Sequence, residues 1–293
     1  MSQTGTGRAL GALVLGGILL GCSPILVRVS QIGPVATAFW RLLWALVPIV
    51  VLFANASRSG GAGRLPATPA EHLTAALPGI FLAGDLATWH ISLHMTSVTN
   101  STLLANMAPV VVTLVSWLFL HERIRGAFLA GLVLSVAGVF VLDGGGFSRS
   151  AGSHLRGDLV ALLAACFYAG YFMMLSRARA RFSTITVMLW STTAAAILVL
   201  PVALVFERAF VPYALAGWMV LIALGWLVHA GGQGVITFAL AWLPATFSSL
   251  TLLIQPVVAA VLARVLLAEP LGVRQIGGGS IVIAGILLAR RRA

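Results

Sequence analysis

Long runs of apolar residues, separated by short polar connections, occupy almost the whole chain. Each run has about the 20 residues that an α-helix needs to cross the hydrocarbon core of a bilayer. The pattern therefore predicts an all-α integral membrane protein with ten transmembrane helices, which we number spans 1 to 10. Their predicted bounds are 9–27, 34–54, 73–95, 99–120, 126–142, 158–176, 183–206, 213–238, 245–267 and 272–289.

The composition makes lipid the natural surroundings for this chain. Of its 293 residues, 60% are hydrophobic and 9% are charged. A soluble domain of this size has too little interior to bury that much apolar surface. The net charge of +11 comes from 18 basic residues, all of them arginine, and most stand between the apolar runs. That distribution is typical of membrane topology and argues against a nucleic-acid partner.

The arginines also predict how the chain is oriented. When the N-terminus is placed inside, the inner connections carry most of them, including Arg58, Arg64, Arg123 and Arg177. Because arginine-rich connections face the cytoplasm, both termini are predicted to be cytoplasmic.

No signature of catalysis or of cofactor binding accompanies this pattern. The two cysteines, Cys22 and Cys166, both lie inside apolar spans, which argues against a disulfide framework or a zinc site. The sequence contains no phosphate-binding loop, no paired carboxylates and no Ser/His/Asp arrangement at one depth. We therefore predict no enzyme activity, no cofactor and no metal. A membrane-embedded enzyme or a non-transporting subunit is the alternative of a different class.

A self-comparison reveals an internal repeat. Residues 108–111, Ala-Pro-Val-Val, align with residues 255–258, Gln-Pro-Val-Val, at an offset of 147, and Glu122 aligns with Glu269 at the same offset. Each half then holds five spans, and because five is odd the second half must run opposite to the first. The predicted organisation is a first five-helix repeat over 1–145, a connecting loop over 146–157 and a second five-helix repeat over 158–293.

This combination of ten spans and inverted halves resembles the EamA-type branch of the drug/metabolite transporter superfamily. The resemblance covers nearly the whole chain and rests on Pro109, Glu122, Pro256, Glu269 and the glycines of spans 5 and 10. Within that branch the chain is most similar to the YddG-type exporters of aromatic and some other amino acids. The resemblance implies export across a bacterial inner membrane, through a central cavity lined by spans 1, 3, 4, 6, 8 and 9.

Asp85, near the middle of span 3, is the most informative single residue. An isolated charge at that depth costs about 2.5–3.5 kcal/mol on insertion scales. The carboxylate could bind a substrate ammonium group or carry a proton, or it could form a structural ion pair with Arg41 of span 2. Four residues further on, Trp89 lies on the same helical face, where it could contact the substrate or simply pack.

Other polar and aromatic residues at membrane depth are candidates for a cavity. His90 and His229 are, with Asp85, possible proton sites, while Tyr168 and Tyr171 could form a stacking wall or face lipid. Glycines surround His229 in span 8, which indicates either irregular backbone or close packing. The remaining candidates for the substrate cavity are Ser23, Thr102, Asn106, Gln233, Thr251 and Gln255.

Prolines within the spans leave the role of several of these candidates open. Pro24, Pro109 and Pro256 each remove a backbone hydrogen bond inside a span. Nearby polar residues such as Asn106 and Gln255 could face the substrate or bond the freed carbonyl groups. Structural roles are predicted for Pro24, Arg41, Pro109, Glu122, Pro256 and Glu269.

The chain as a whole is predicted to carry a small solute across a membrane. The leading hypothesis is export of small amphipathic metabolites, chiefly amino acids including aromatic ones, by alternating access, with protons as candidate coupling ions. Drugs, nucleobases or other metabolites are the alternative substrates. The expected partners are the small-molecule substrate and the lipid bilayer, and the oligomeric state is left open.

Overall fold

Helices form all the regular structure of residues 3–96, 98–143, 155–267 and 272–290, which are the part of the chain that a computed structural model describes. Six spans are single helices. In chain order these are span 2 (Pro34–Arg58), span 3 (Pro69–Met95), span 5 (Gly126–Leu142), span 6 (Leu155–Arg179), span 7 (Thr184–Phe206) and span 10 (Val273–Arg290).

The other four spans are interrupted. Span 1 consists of Gln3–Gly21 and Ser23–Arg28, span 4 of Val98–Ala105 and Ala108–Leu118, span 8 of Leu215–Ala223, a π-helical segment Leu224–Gln233 and Gly234–Ala239, and span 9 of Ala245–Thr251 and Ile254–Leu267.

The helices are long enough to cross a membrane, and the predicted all-α fold is confirmed. Eight helical stretches among the described residues are both long and apolar enough by length and composition, and the apolar helix Gly126–Leu142 is shorter. Span 3 is longer, at 27 residues, but Asp85 and its histidines lower its hydropathy. Span 3, which falls short of the hydropathy of those eight stretches, is therefore the span that carries the carboxylate of Asp85.

Prolines account for three of the four interruptions. Pro24, Pro109 and Pro256 each lie in the first turn of the second helical segment of their span. That position suits proline, because the first backbone N–H groups of a helix have no partner within the helix. Beside Pro256, the N–H of Gln255 donates to the carbonyl of Leu252, which proline has freed, at 3.0 Å. The backbone itself thus satisfies that carbonyl group.

The irregular part of span 8 has no proline and is a π-helix instead. Its glycines let neighbouring spans approach closely: an added Cβ at Gly232 would lie 2.7 Å from Leu20 Cδ1, and one at Gly225 would lie 2.7 Å from Trp44 Cβ. Both alternatives for this segment therefore hold, because the backbone is irregular and the glycines serve close packing. The wider turn carries His229 and Gln233 into the bundle, where both are buried.

The two halves pack through corresponding pairs of spans. Span 3 packs against span 6 while span 8 packs against span 1, and span 3 also meets span 7 while span 8 meets span 2. Spans 2 and 7, 4 and 9, and 5 and 10 pair with each other. Exchanging the two halves maps this set of contacts onto itself, which is the arrangement that an inverted five-helix repeat requires.

Spans 5 and 10 form the tightest of these pairs. An added Cβ at Gly138 would lie 2.6 Å from the backbone nitrogen of Val282, and one at Gly285 would overlap the hydroxyl of Ser135. The Ser135 hydroxyl donates to the carbonyl of Val282 at 3.4 Å. Small residues here let the two backbones approach, and dispersion contacts hold them together where lipid provides no hydrophobic drive.

Glu207, at the end of span 7, fastens the start of span 2. Its carboxylate accepts a hydrogen bond from the backbone N–H of Val35 at 2.8 Å. Close by, Trp40 Nε1 donates to the carbonyl of Phe210 at 2.7 Å, and the N–H of Gly33 donates to the carbonyl of Ala209. A carboxylate at a helix N-terminus also interacts favourably with the helix dipole. The connection between spans 7 and 8 therefore acts as a cap on span 2.

We expect Glu207→Ala to lower the free energy of unfolding by about 1 kcal/mol, the usual effect of losing a helix cap. The unfolding temperature of the purified protein in detergent measures this loss. Glu122→Ala is the matched control, because the Glu122 side chain is exposed and makes no hydrogen bond to the described residues. Equal unfolding temperatures for the two variants would show that the cap contributes nothing.

Candidate functional site

Asp85 and Arg41 lie deep in the bundle, within reach of each other's charge, but they do not form an ion pair. No nitrogen of Arg41 is within 4.0 Å of a carboxylate oxygen of Asp85, although the two charges interact. Both side chains are only half-buried, so a molecule the size of water can reach them even at this depth. Depth combined with accessibility indicates that both residues line a cavity. The alternative of a direct structural ion pair is not realised.

The guanidinium of Arg41 has very few protein partners. Its Nη1 donates to the hydroxyl of Ser23, beside the interruption of span 1, at 3.3 Å. Its Nε is buried and has no hydrogen-bond partner. The charge is also felt by His229, Tyr168 and Tyr171. Arg41, for which a structural role was predicted, therefore lies at the centre of the polar cluster.

Tyr168 and Tyr171 face this cluster from span 6. Their rings stack with centroids 6.1 Å apart and planes inclined by 23°. Tyr168 interacts with the side chain of Gln255 from span 9, and Tyr171 with that of Gln233 from span 8. Both hydroxyls are also close enough to Asp85 to interact with its charge. The two tyrosines thus connect residues of both halves and do not face lipid.

Reciprocal packing of rings on glycines sets the distance between Asp85 and these tyrosines. An added Cβ at Gly84 would lie 2.6 Å from Cδ1 of Phe167, and one at Gly170 would overlap the ring of Phe81. The two phenylalanine rings are 6.2 Å apart. Each glycine is next in sequence to a residue of the cluster, so this contact between spans 3 and 6 positions the site.

His229 and Gln233 complete the cluster from the π-helical segment. His229 Nε2 lies 3.1 Å from the hydroxyl of Thr192 in span 7, and its Nδ1 is buried without a partner. Gln233 Nε2 and Trp89 Nε1 are likewise buried without a partner. Buried polar groups are nearly always hydrogen-bonded, so several unpaired nitrogens in one region indicate a place for a polar ligand.

Other predicted cavity residues are accounted for within their own helices. His90 is buried, with Nδ1 2.5 Å from the carbonyl of Leu86 and its ring edge-on to Trp89. The Thr251 hydroxyl donates to the carbonyl of Phe247 at 2.9 Å. These bonds hold the two polar groups locally, and for Thr251 no hydrogen bond among the described residues leads to the Arg41–Asp85 cluster.

Two further candidates lie beside the interruption of span 4. Thr102 and Asn106 are half-buried, and no hydrogen bond joins their side chains to the cluster in the described part of the chain. Of the predicted structural glutamates, Glu122 is exposed beyond the end of span 4, while Glu269 lies outside the described residues. The Glu122 side chain makes no hydrogen bond among the described contacts, so the structural role of Glu122 stays a prediction.

Two grooves on the outside of the bundle are apolar and separate from the cluster. One of about 590 Å³ lies between spans 4 and 5, lined by residues such as Val133 and Phe140. Another of about 410 Å³ lies between spans 3 and 7, beside Trp190 and Ile197. Their walls match the apolar surface that a bilayer covers, so we place the site in the bundle interior.

Thr192 is a site residue that the sequence analysis missed. It belongs to a polar run, Ser191 to Thr193, in the middle of an otherwise apolar span. A hydroxyl at that depth needs a partner, and His229 is the partner it has. The run was therefore the signal that could have placed span 7 beside the site.

Comparison with known families identifies both halves of the chain. The model of the EamA-like transporter family matches residues 7–142 and, a second time, residues 155–291. A crystal structure superposes with a TM-score of 0.82, over 100% of this chain and 99% of the other, at 19% sequence identity. At that identity the superposition shows the fold alone.

Named relatives are transporters. The Probable terminal-alkyne amino-acid exporter of Streptantibioticus cattleyicolor is 30% identical, over 68% of this chain and 66% of its own length. The Pseudopaline exporter CntI of Pseudomonas aeruginosa is also 30% identical, over 73% and 74%. A transporter of Archaeoglobus fulgidus is 23% identical, over 96% of this chain and 95% of its own.

We expect Gly170→Leu to destabilise the protein, because the new side chain must displace the ring of Phe81 at the contact between spans 3 and 6. Overpacking of this kind costs about 1–3 kcal/mol, which the unfolding temperature in detergent reports. Gly277→Leu in span 10 is the control, since an added Cβ there meets no atom within 4 Å. A Gly170 variant as stable as the Gly277 variant contradicts the assignment of this contact.

Proposed function

Because the chain belongs to the EamA-like transporter family, we propose that it is a secondary transporter that exports amino acids, including aromatic ones, and similar small amphipathic metabolites. The observation that carries this proposal is the Arg41–Asp85 cluster: two opposite charges, without a direct bond between them, beside stacked tyrosines. Charged groups inside membrane proteins usually mark a substrate or ion pathway. A solute with charged groups and an apolar or aromatic part matches this lining.

The names of the relatives support the substrate class. One relative is named as an amino-acid exporter and another as the exporter of pseudopaline, and each shares 30% of its aligned residues with this chain. The narrower likeness to YddG-type exporters of aromatic amino acids stays a prediction. Trp89, on the same helical face as Asp85, and the two tyrosines are the side chains that such a specificity would use.

An uneven packing of the interrupted spans supports alternating access. Ala245–Thr251, the first segment of span 9, is buried from Thr246 onward, whereas the second segment has no buried residue between Ile254 and Leu266. The segment Ser23–Arg28 of span 1, at the same end of the bundle, has none either. In an inverted repeat, exchanging the two packings between the halves switches the exposed side. We infer that the cluster is open at the Ser23–Arg28 end.

Arg179 closes the opposite end. Its Nε donates to the carbonyl of Thr237 in span 8 at 3.0 Å, and its Nη1 donates to the carbonyl of Phe182. With the N-terminus in the cytoplasm, this closed end faces the cytoplasm and the open end faces outward. The proposed setting is a bacterial inner membrane with both termini cytoplasmic, and the proposed division is into repeats 1–145 and 158–293 joined by 146–157.

Protons are the proposed coupling ions, and Asp85 and His229 are the sites that the geometry favours. The first is accessible in the cavity and the second has one unpaired ring nitrogen. His90, the third predicted proton site, is bonded within its own helix. Downhill export without coupling is the alternative that the experiment below distinguishes.

The proposed function is tested by uptake of labelled tryptophan and phenylalanine into liposomes that hold the purified protein, with and without a proton gradient. We expect saturable uptake that other amino acids compete. A response to the gradient would establish coupling, and its absence would establish downhill exchange. Folded protein that transports neither compound, while a panel of drugs and nucleobases competes for another labelled solute, would contradict the amino-acid assignment.

We expect Asp85→Asn to remove most transport, at least about tenfold, because loss of a charge-assisted contact is worth roughly 1.5–3 kcal/mol. Initial uptake rates in liposomes at matched protein density measure this change. Glu71→Gln, at the start of the same helix, is the control and should transport normally, since glutamine keeps an oxygen for the Ala67 N–H and only the pair with exposed Arg64 loses its charge. Unaltered transport by the Asp85 variant would remove Asp85 from the mechanism.

A further inference from the structure

We propose that Arg41 and Asp85 form a two-point receptor for an α-amino acid zwitterion, in which the Arg41 guanidinium binds the α-carboxylate and the Asp85 carboxylate binds the α-ammonium group. This inference rests on the proposed function and narrows it: the protein recognises the amino acid backbone itself, and both charges of that backbone are required. Arg41 thereby becomes a substrate-binding residue and not a structural one.

The free edge of the Arg41 guanidinium is the first argument. A guanidinium carries five N–H donors, and here the only hydrogen bond joins Nη1 to Ser23. Nε and Nη2 have no bond to a described group, and these two nitrogens point their N–H bonds in the same direction. That pair is the side-on edge which binds a carboxylate through two parallel hydrogen bonds. Ser23 holds the opposite side and so fixes the plane of the group.

Two other arginines of the chain differ from Arg41, whose guanidinium keeps unpaired N–H donors. Arg179, also partly buried, donates to two backbone carbonyl groups. Arg64 pairs with Glu71 at the surface. An arginine charge inside a membrane protein is costly unless it has such partners. Arg41 lies deeper than either residue, yet its one hydrogen-bond partner is an uncharged hydroxyl, which is the property of a binding group.

Asp85 offers the complementary half. No described group donates a hydrogen bond to its carboxylate. The carboxylate oxygens are not fully buried, so a ligand in the cavity can reach them. Thr88, the nearest hydroxyl on the same helix, donates to backbone carbonyl groups instead. A primary ammonium group, with three donors, suits an exposed carboxylate of this kind.

The helix packing keeps the two charges apart. Span 2, with Arg41, packs on spans 7 and 8, whereas span 3, with Asp85, packs on spans 6 and 7. The glycine contacts at Gly84 and Gly225 fix these packings at close range. The two charges thus lie on separately packed helices without a direct bond, and a ligand with both charges can bridge them.

Bridging requires a ligand with both charges. A zwitterion neutralises Arg41 and Asp85 together, whereas an amine leaves Arg41 unpaired and a carboxylic acid leaves Asp85 unpaired. Leaving a buried charge without its partner is strongly unfavourable. A half-ligand, meaning the amine or the carboxylic acid alone, is therefore disfavoured by the charged residue that it leaves unpaired. The hydroxyls of Tyr168 and Tyr171 interact with both charges and with Gln255 and Gln233, so they add polar groups beside the two charged residues.

The test compares three probes that differ only in these charges: L-phenylalanine, phenethylamine without the carboxylate, and 3-phenylpropionate without the ammonium group. Each competes with labelled L-phenylalanine in liposomes holding wild type, and its binding to purified wild type, Arg41→Gln, Arg41→Lys and Asp85→Asn is titrated directly by calorimetry. Arg58→Gln, at the end of the same helix as Arg41, and Glu71→Gln are the matched controls. Arg41→Lys keeps the charge but lacks the two-nitrogen edge, so it serves if the glutamine variant does not fold.

We expect wild type to bind L-phenylalanine about tenfold or more tightly than either half-ligand. Arg41→Gln should lose affinity for L-phenylalanine but keep that for phenethylamine, and Asp85→Asn should keep that for 3-phenylpropionate. Arg41→Lys should fall between wild type and Arg41→Gln. The crossed pattern identifies which charge each residue reads, because a merely structural role would weaken all three probes alike.

Three outcomes overturn the inference. Equal competition by phenethylamine and L-phenylalanine in wild type shows that the carboxylate is not read. Uniform losses across the probes in both Arg41 variants show that Arg41 acts through structure. Transport of another solute with no binding of L-phenylalanine shows that the receptor does not take this zwitterion. Absence of any transport by folded wild type, in contrast, contradicts the proposed function itself.

Discussion

The hydrocarbon core of a bilayer provides no hydrogen-bond partner for a backbone N–H or C=O group, and the arrangement of this protein follows from that constraint. Helices satisfy those groups internally, so irregular backbone at membrane depth is tolerated only where protein or a cavity shields it. The interrupted span 1 accordingly packs on both interrupted spans 8 and 9, and each of the three supplies a residue to the polar cluster: Ser23, His229 with Gln233, and Gln255. The uninterrupted spans 5 and 10 contribute none and pair closely through small residues instead.

The same constraint divides labour among the helix contacts. The glycine-mediated contacts are tight and set distances, as between spans 3 and 6, where Gly84 and Gly170 bring Asp85 and the tyrosines to one place. The second segments of spans 1 and 9 have no buried residue, and in the proposed mechanism they are the segments that change their contacts. A rigid set of helices that holds the charges apart, beside segments free to repack, is the combination that a binding site with two exposed states needs. In the proposed mechanism, the hydrogen bonds of Arg179 belong to the closed state of one end.

Hydropathy, proline positions and the repeated Pro-Val-Val segment were sufficient to predict the ten spans and the two-half organisation, because lipid imposes length and apolarity on each span separately. The π-helical segment was harder: its glycines fit both irregular backbone and packing, and the structure shows both. Polar residues at membrane depth made Asp85, the tyrosines and His229 candidates, since a polar group inside a membrane is costly and usually has a partner or a function. Which of them meet was not predictable, because distances between helices depend on contacts such as Phe81 on Gly170. For that reason a direct ion pair of Arg41 with Asp85 remained one of two alternatives, and Thr192 was missed.

The separation of Arg41 from Asp85 also bears on how binding is linked to movement. Closing the cavity around two unpaired charges would remove both from water without compensation, which is unfavourable in a low-dielectric interior. Closing it around a zwitterion leaves no net charge and no unpaired guanidinium edge. A ligand shifts a conformational equilibrium only by its difference in affinity between the two states, and here that difference arises from the two charges it neutralises. A direct salt bridge between the same residues would abolish the difference, since the empty site would then close as readily as the occupied one. In the proposed receptor, the separation of these two side chains is therefore what makes closure depend on substrate.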